Sequence, residues 1–239
     1  MKEQITQLQK KLKLSQSLIE FYENTEYQNK EQFVFELLQK LYIERRENII
    51  ERNLKAAKFP IVKTFEGYSF SGLEFPDTLT TESLKSLEFI ENKENLILYG
   101  GVGTGKSHLS IALGLTVIKT GKQVYFYTVH DLINHLVKAK EQYQLERAMN
   151  KLLKAELLIL DEWGYLPLHQ EGSRLLFEVI SKCYEQKSII ITTNMEFSHW
   201  NSFLFDEKLT VAIIDRIIHH SHLIFFNRES YRKEHALIK

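Results

Sequence analysis

Gly100-Gly101-Val102-Gly103-Thr104-Gly105-Lys106-Ser107 comes directly after the apolar run Leu96-Ile97-Leu98-Tyr99. This is the phosphate-loop spacing G-x-x-x-x-G-K-[ST], with a short buried strand in front and a helical pattern behind. A loop that wraps a phosphate brings backbone N–H groups close to its oxygens, and glycines allow that approach. Lys106 supplies a point charge for the β- and γ-phosphates, and Ser107 supplies a hydroxyl for Mg²⁺. The N-terminus of the next helix, with His108 in its first turn, faces the anion with its positive end. The stretch therefore predicts a nucleoside triphosphate site formed by residues 100–108.

Beyond the loop, strand and helix patterns alternate. Strands are expected at Leu96–Tyr99, Gln123–Thr128, Leu157–Leu160, Ser188–Thr193 and Leu223–Phe226. Alternation of this kind implies a five-stranded parallel sheet covered by helices on both faces. The segment Ser173–Gln186 carries Leu175, Leu176, Val179, Ile180 and Cys183 as one apolar helical stripe.

Ligands of such sheets sit at the carboxyl ends of the strands, so chemistry is expected in the residues just past each strand. Leu157–Leu160 delivers Asp161-Glu162, a pair suited to holding Mg²⁺ (Asp161) and to orienting or deprotonating water (Glu162). The fourth strand ends at Asn194, whose amide can serve a γ-phosphate or a lytic water, or simply close a turn. In Leu209–His219 the residues Ile213, Ile214, Ile217 and Ile218 share a face, and Arg216 projects to the other. An outward arginine there is either a finger reaching another subunit or a solvated side chain.

The rest of the chain carries coarser signals. Its 239 residues are 44% apolar, enough for a sizeable core, and the formal net charge is zero, so a basic surface must be sought locally. The single cysteine, Cys183, excludes an internal disulfide framework and reads as a packed thiol. The charged N-terminus and the absence of a long apolar run predict no leader, no membrane span and a cytoplasmic location. Residues 1–62 read as a small helical domain, with one long helix from Gln32 to about Ala57 that stops before Pro60. Residues 63–76 read as a linker, and 77–239 as the nucleotide-binding domain.

Several longer strings resemble the IstB-like family of AAA+ ATPases, relatives of the helicase loader DnaC. They are ERNLKAAKFPIVKTFEGYSF (51–70), YGGVGTGKSHLSIALG (99–114), LLILDEWGYLPL (157–168), LLFEVISKCYEQKSIIITTNMEF (175–197), LTVAIIDRIIHHSH (209–222) and ESYR (229–232). The resemblance covers nearly the whole chain. It implies an AAA+ P-loop fold, ATP and Mg²⁺ as cofactors, a sensor 1 role for Asn194 and a trans-acting arginine finger at Arg216. It also implies an ATP-dependent homo-oligomer on double-stranded DNA, sequence-independent, that helps an IstA-type transposase. One departure is the lid: thirteen residues come after Phe226, so a reduced or absent lid is expected, with Arg232 in ESYR as a reduced sensor 2. Adenine recognition then falls to the linker, with Phe65, Tyr68 and Phe70 as candidates beside a packing role.

Between Lys40 and Lys63 seven basic residues stand against three acidic ones. Arg45, Arg46, Arg52, Lys55 and Lys58 are the DNA candidates in this stretch, and a solvated helix face is the alternative. Lys138, Lys140, Arg147, Lys151 and Lys154 form a second basic stretch before the Asp161 strand. The nine histidines show no Cys/His spacing of a zinc site and read as packing or surface residues. A helicase loader shares the same ATPase core. A small-molecule kinase has no use for Arg216, and no N-K-x-D string supports a GTPase.

Overall fold

The computed structural model describes residues 2–26 and 29–234, and positions 235–239 of the expected 77–239 domain lie outside it. The chain divides into two compact units, Met1–Arg52 and Asn53–Lys239. Unit 1 holds α1 (Lys2–Lys11), α2 (Ser17–Asn24) and most of α3 (Lys30–Ala57). Within it Phe21 of α2 packs on Phe33 of α3, ring centroids 6.0 Å apart, and Ser17 donates its hydroxyl to the Glu44 carboxylate. Val34, Phe35, Leu38 and Tyr42 of α3 are exposed. The helix ends where expected: Lys58 turns left-handed at φ 58°, directly before Phe59-Pro60.

Unit 2 is built around one sheet. In chain order it contains β1 (Leu73–Glu74), α4 (Thr81–Ser86), α5 (Glu88–Glu91), β2 (Asn95–Gly100), α6 (Lys106–Lys119) and β3 (Val124–Thr128). Then come α7 (Val129–Glu141), α8 (Leu145–Leu152), β4 (Leu157–Trp163), α9 (Gln170–Cys183) and β5 (Ser188–Thr193). The described part closes with α10 (Trp200–Leu204), α11 (Glu207–His219), β6 (Ser221–Phe226) and the short α12 (Tyr231–Glu234). The strand order is β1-β6-β2-β5-β4-β3.

All neighbouring pairs from β6 to β3 are parallel, as the alternating pattern predicts. The expected count of five is corrected to six. Leu73 and Glu74, inside the expected linker, pair antiparallel with Phe226 and Phe225 at the flank of β6. Two residues are too few for a period-2 signal, and their strand state comes from the partner edge rather than from their own sequence.

The apolar runs lie at the centre of the sheet. Leu96, Ile97, Leu98, Leu157–Leu160 and Ile189–Ile191 are all buried, as strands covered on both faces must be. Helix α9 buries the expected stripe but runs Gln170–Cys183 rather than to Gln186. Glu185 takes φ 56°, and the N–H groups of Gln186 and Lys187 return to Cys183 O. Polar caps fix where helices begin: Thr128 accepts from Asp131 N at α7, and Asp206 accepts from Leu209 N at 2.9 Å at α11. Trp163, at the end of β4, is fully buried against Trp200 and Phe203, with centroids 4.9 and 5.5 Å away. Cys183 is a packed thiol, its pKa pushed up to about 12 by burial.

Candidate functional site

Between the loop that follows β2 and the end of β4 a cavity of about 320 Å³ opens. Gly103–His108 of the loop line it, together with Lys63, Asp161, Glu162 and Arg232. The loop is packed from behind. Gly103 has φ 82°, and a Cβ there would stand 2.1 Å from Ser230 Oγ. Gly105 has φ 90°, and a Cβ would stand 2.5 Å from Arg228 Nη2. Both glycines are required by their backbone conformation, and the side-chain ends of Ser230 and Arg228 fill the space beside them.

Lys106 Nζ donates to Gly100 O at 2.7 Å and Gly101 O at 2.6 Å, so the ammonium spans its own loop. Its pKa is lowered from 10.5 to about 8, chiefly by burial; Asp161 partly opposes this and Arg232 adds to it. Ser107 Oγ donates to Asp161 at 2.8 Å from Oδ1 and 3.0 Å from Oδ2. A hydroxyl and a buried carboxylate in direct contact are an all-oxygen donor set, which fits Mg²⁺.

Glu162 is the next residue along β4, and its backbone is unusual. It takes φ 60° at an irregularity of the β4–β5 pairing between Leu160 and Trp163. For a non-glycine residue this conformation costs on the order of 1 kcal/mol, and it aims an exposed carboxylate into the cavity rather than along the strand. Thr192 holds the kink: its Oγ1 accepts from Glu162 N at 3.2 Å and donates to Asp161 Oδ1.

The sequence-predicted residues are thus partly brought together. Gly103, Thr104, Gly105, Lys106, Ser107, His108, Asp161, Glu162 and Arg232 share one cavity, and Gly100, Gly101 and Val102 form the loop's entry. Asn194 does not line it. It faces a separate hollow of about 460 Å³ with Tyr99, Gly164, Tyr165 and His199. Arg216 is away from the cavity too. Its guanidinium lies 5.0 Å from the Phe177 ring centroid on α9, and Nη1 donates to Ala212 O at 2.8 Å.

Two contributors were not legible beforehand. Thr192 stands one position before Thr193 and the expected asparagine, on β5 beside Asp161, and only the register of the two strands reveals it. Arg228 stands two residues past β6 and carries no motif. It donates to Thr104 O at 2.6 Å, Ser69 O at 2.8 Å and Tyr68 Oη at 2.9 Å, tying the 68–69 segment to the loop. Burial pushes the Tyr68 phenol up to about 12, with Arg228 opposing. Tyr68, His108, Arg228 and Tyr231 line a second cavity of about 500 Å³ beside Gly105. Tyr68 and His108 pack at 4.8 Å between ring centroids, and His108 Nε2 meets Thr64 O at 2.8 Å.

The basic residues fall in several places. Arg45 and Arg52 line a groove of unit 1 with Leu12, Tyr42 and Asn48, about 900 Å³ in volume, and Arg46 is exposed on the same helix. In unit 2 Lys55, Lys58 and Lys138 are exposed, and Lys140 is paired with Glu171. Arg147, Lys151 and Lys154 border a shallow pocket at α8 with Asn150 and Glu146. Among the described residues no helix is long and apolar enough to cross a membrane.

Known proteins resemble this chain in sequence and in fold. The family model described as IstB-like ATP binding protein matches residues 6–238. A protein named as ATP-binding in insertion sequence IS21 of Pseudomonas aeruginosa is 40% identical over 204 residues, covering 85% of this chain and 77% of that one. Its counterpart in insertion sequence IS5376 of Geobacillus stearothermophilus is 36% identical over 211 residues, covering 88% and 84%. Among solved structures, the DnaC helicase loader aligns with a TM-score of 0.56 at 22% identity, over 73% of this chain and 98% of that one. The replication initiator DnaA bound to AMPPCP and single-stranded DNA aligns with a TM-score of 0.56 at 23% identity, over 70% and 50%. At such identity these structures speak to the fold alone, an α/β architecture.

Proposed function

Because the chain belongs to the IstB-like ATP-binding protein family, we propose that its ATPase cycle governs assembly on double-stranded DNA in the service of a partner transposase. The observation that carries the ATPase is the contact of Ser107 with Asp161, with Glu162 kinked into the same cavity. Lys106 binds the β- and γ-phosphates. Ser107 and Asp161 would hold Mg²⁺, which would supply positive charge against the charge that develops on the phosphates. Glu162 takes the proton of the attacking water. Thr192 keeps Asp161 and the Glu162 backbone in register. The cavity beside Tyr68, His108 and Arg228 takes the base and ribose, which narrows the adenine candidates to Tyr68 among the three linker aromatics.

Arg216 and Asn194 complete the site on this reading. Arg216, half-buried on α11 against Phe177 of α9, serves the site of a neighbouring copy, and Asn194 senses the γ-phosphate. Arg232 lines the cavity and already influences Lys106, which supports a reduced sensor 2 role. The relatives named for insertion sequences support the transposition setting. The basic residues Arg45, Arg46, Arg52, Lys55, Lys58, Lys138 and Lys140 meet DNA phosphates without reading bases.

The test is size analysis of the full chain with ATP, ADP or no nucleotide, each with duplex or single-stranded DNA. The expected result is a large species with ATP and duplex only. Monomers under every condition overturn the proposal, and a preference for single strands replaces it with helicase loading.

A further inference from the structure

The histidines of the 209–222 stretch carry no spacing signature, yet the fold gathers two of them. His219 is the last residue of α11, and His220 breaks out of the helix at φ −128°, ψ 43°. Consecutive residues of a continuing helix diverge by about 100°. Here the break lets the two rings meet instead, 4.1 Å apart and steeply inclined to each other. Glu185, just beyond the end of α9, turns left-handed and brings its carboxylate to the same place. Ligand atoms of Glu185, His219 and His220 all lie within 4.8 Å of one another.

Two details go beyond proximity. Ligand atoms held about 2.0–2.2 Å from one zinc ion at a tetrahedral angle are separated by about 3.3–3.6 Å. His220 Nε2 and Glu185 Oε1 are 3.2 Å apart, within about 0.1 Å of the spacing of two ligands on one ion. His219 Nδ1, meanwhile, is 2.8 Å from the Tyr184 hydroxyl. That contact occupies Nδ1, fixes the ring and leaves Nε2 for a ligand, the arrangement in which an outer partner orients a metal-bound imidazole.

We infer that Glu185, His219 and His220 form a binding site for a borderline divalent metal, zinc being the best match to two imidazoles and a carboxylate. Water fills the fourth position. The ion ties the end of α9 to the end of α11, one turn from Arg216 and its Phe177 contact. The site is structural, and it does not depend on the nucleotide reading.

Calorimetric titration of the full chain with Zn²⁺, without nucleotide or Mg²⁺, tests it. One equivalent binds, with Kd on the order of micromolar, and Zn²⁺ raises the melting temperature by mass action. His219→Ala and His220→Ala each weaken binding by at least about tenfold, Glu185→Gln does likewise, and Tyr184→Phe weakens it by a smaller factor. Asp161→Asn leaves the titration unchanged, separating this ion from any held at the phosphate loop. Because the three ligands are at the surface, the apo melting temperature of each variant checks its fold. Histidine ring ¹H–¹⁵N spectra of the wild-type chain give a reading that needs no variant, with two rings shifting on zinc addition. Absence of binding, or equal affinity in the His219→Ala/His220→Ala double variant, overturns the inference.

Discussion

Lys106 and Thr192 show how single groups set the behaviour of the cavity. In the nucleotide-free protein the Lys106 ammonium is partly stripped of water and sits near Arg232, so its pKa is lowered to about 8. A triphosphate restores the charged form, and binding above that pH takes up a proton. ATP affinity should therefore fall as pH rises, by about tenfold between pH 7 and 9. A fluorescent-nucleotide titration across that range reads it, and Lys106→Arg should flatten the profile. Thr192→Val removes the donor to a buried carboxylate and should lower stability by about 1–3 kcal/mol in urea unfolding, whereas Thr192→Ser stays near wild type. Glu162→Gln should hold ATP within a few-fold of normal while turnover drops by at least about 100-fold; undiminished phosphate release removes Glu162 from the chemistry. The loop and the Asp161-Glu162 pair were readable because their spacing is local. Thr192 was not, since it reaches Asp161 only through the pairing of β4 with β5, 31 residues apart in the chain.

At the scale of elements, the parallel strands and their helices arise from apolar runs and stripes long enough to have a period. Leu157–Leu160 and Ile189–Ile191 declare themselves; Leu73–Glu74 does not. The segment after β6 is the larger surprise. Asn227 N donates to Gly72 O, Tyr231 N donates to Gly103 O at 3.1 Å, and Arg228 spans from Thr104 to Tyr68. A short tail read as a reduced or absent lid bearing Arg232 is thus also the back wall of the phosphate loop. Arg228→Ala gives up three hydrogen bonds from one guanidinium and should cost about 2–3 kcal/mol, seen as a drop of several degrees in melting temperature and weaker ATP binding. Arg228→Lys should recover little of this, because a point ammonium does not reproduce a planar fork reaching three acceptors. An unchanged melting temperature in Arg228→Ala would show that the tail is braced by its backbone alone.

For the whole molecule, the sequence reads as a helical part over 1–62, a linker and a nucleotide-binding part, while the chain itself divides into the compact units Met1–Arg52 and Asn53–Lys239. What the basic residues do is a matter of the assembled protein. If Arg45, Arg46 and Arg52 meet phosphates, changing all three to Gln should reduce the salt slope of duplex binding by about 2–3 and weaken binding similarly for all sequences. The same triple change at Arg147, Lys151 and Lys154 gives a parallel measure for unit 2. A slope unaltered by both sets removes these six residues from the DNA contact.

One modest feature reaches further than its size. Backbone donors and acceptors along the rim of a sheet invite strands from other molecules to zip on, a common start of aggregation. Leu73 and Glu74 occupy that rim beside β6. In crowded preparations, then, this protein's solubility is guarded on one side, and any strand-to-strand sticking should begin at the opposite rim, along β3. A charged substitution there is the first remedy to try when concentrated samples turn cloudy.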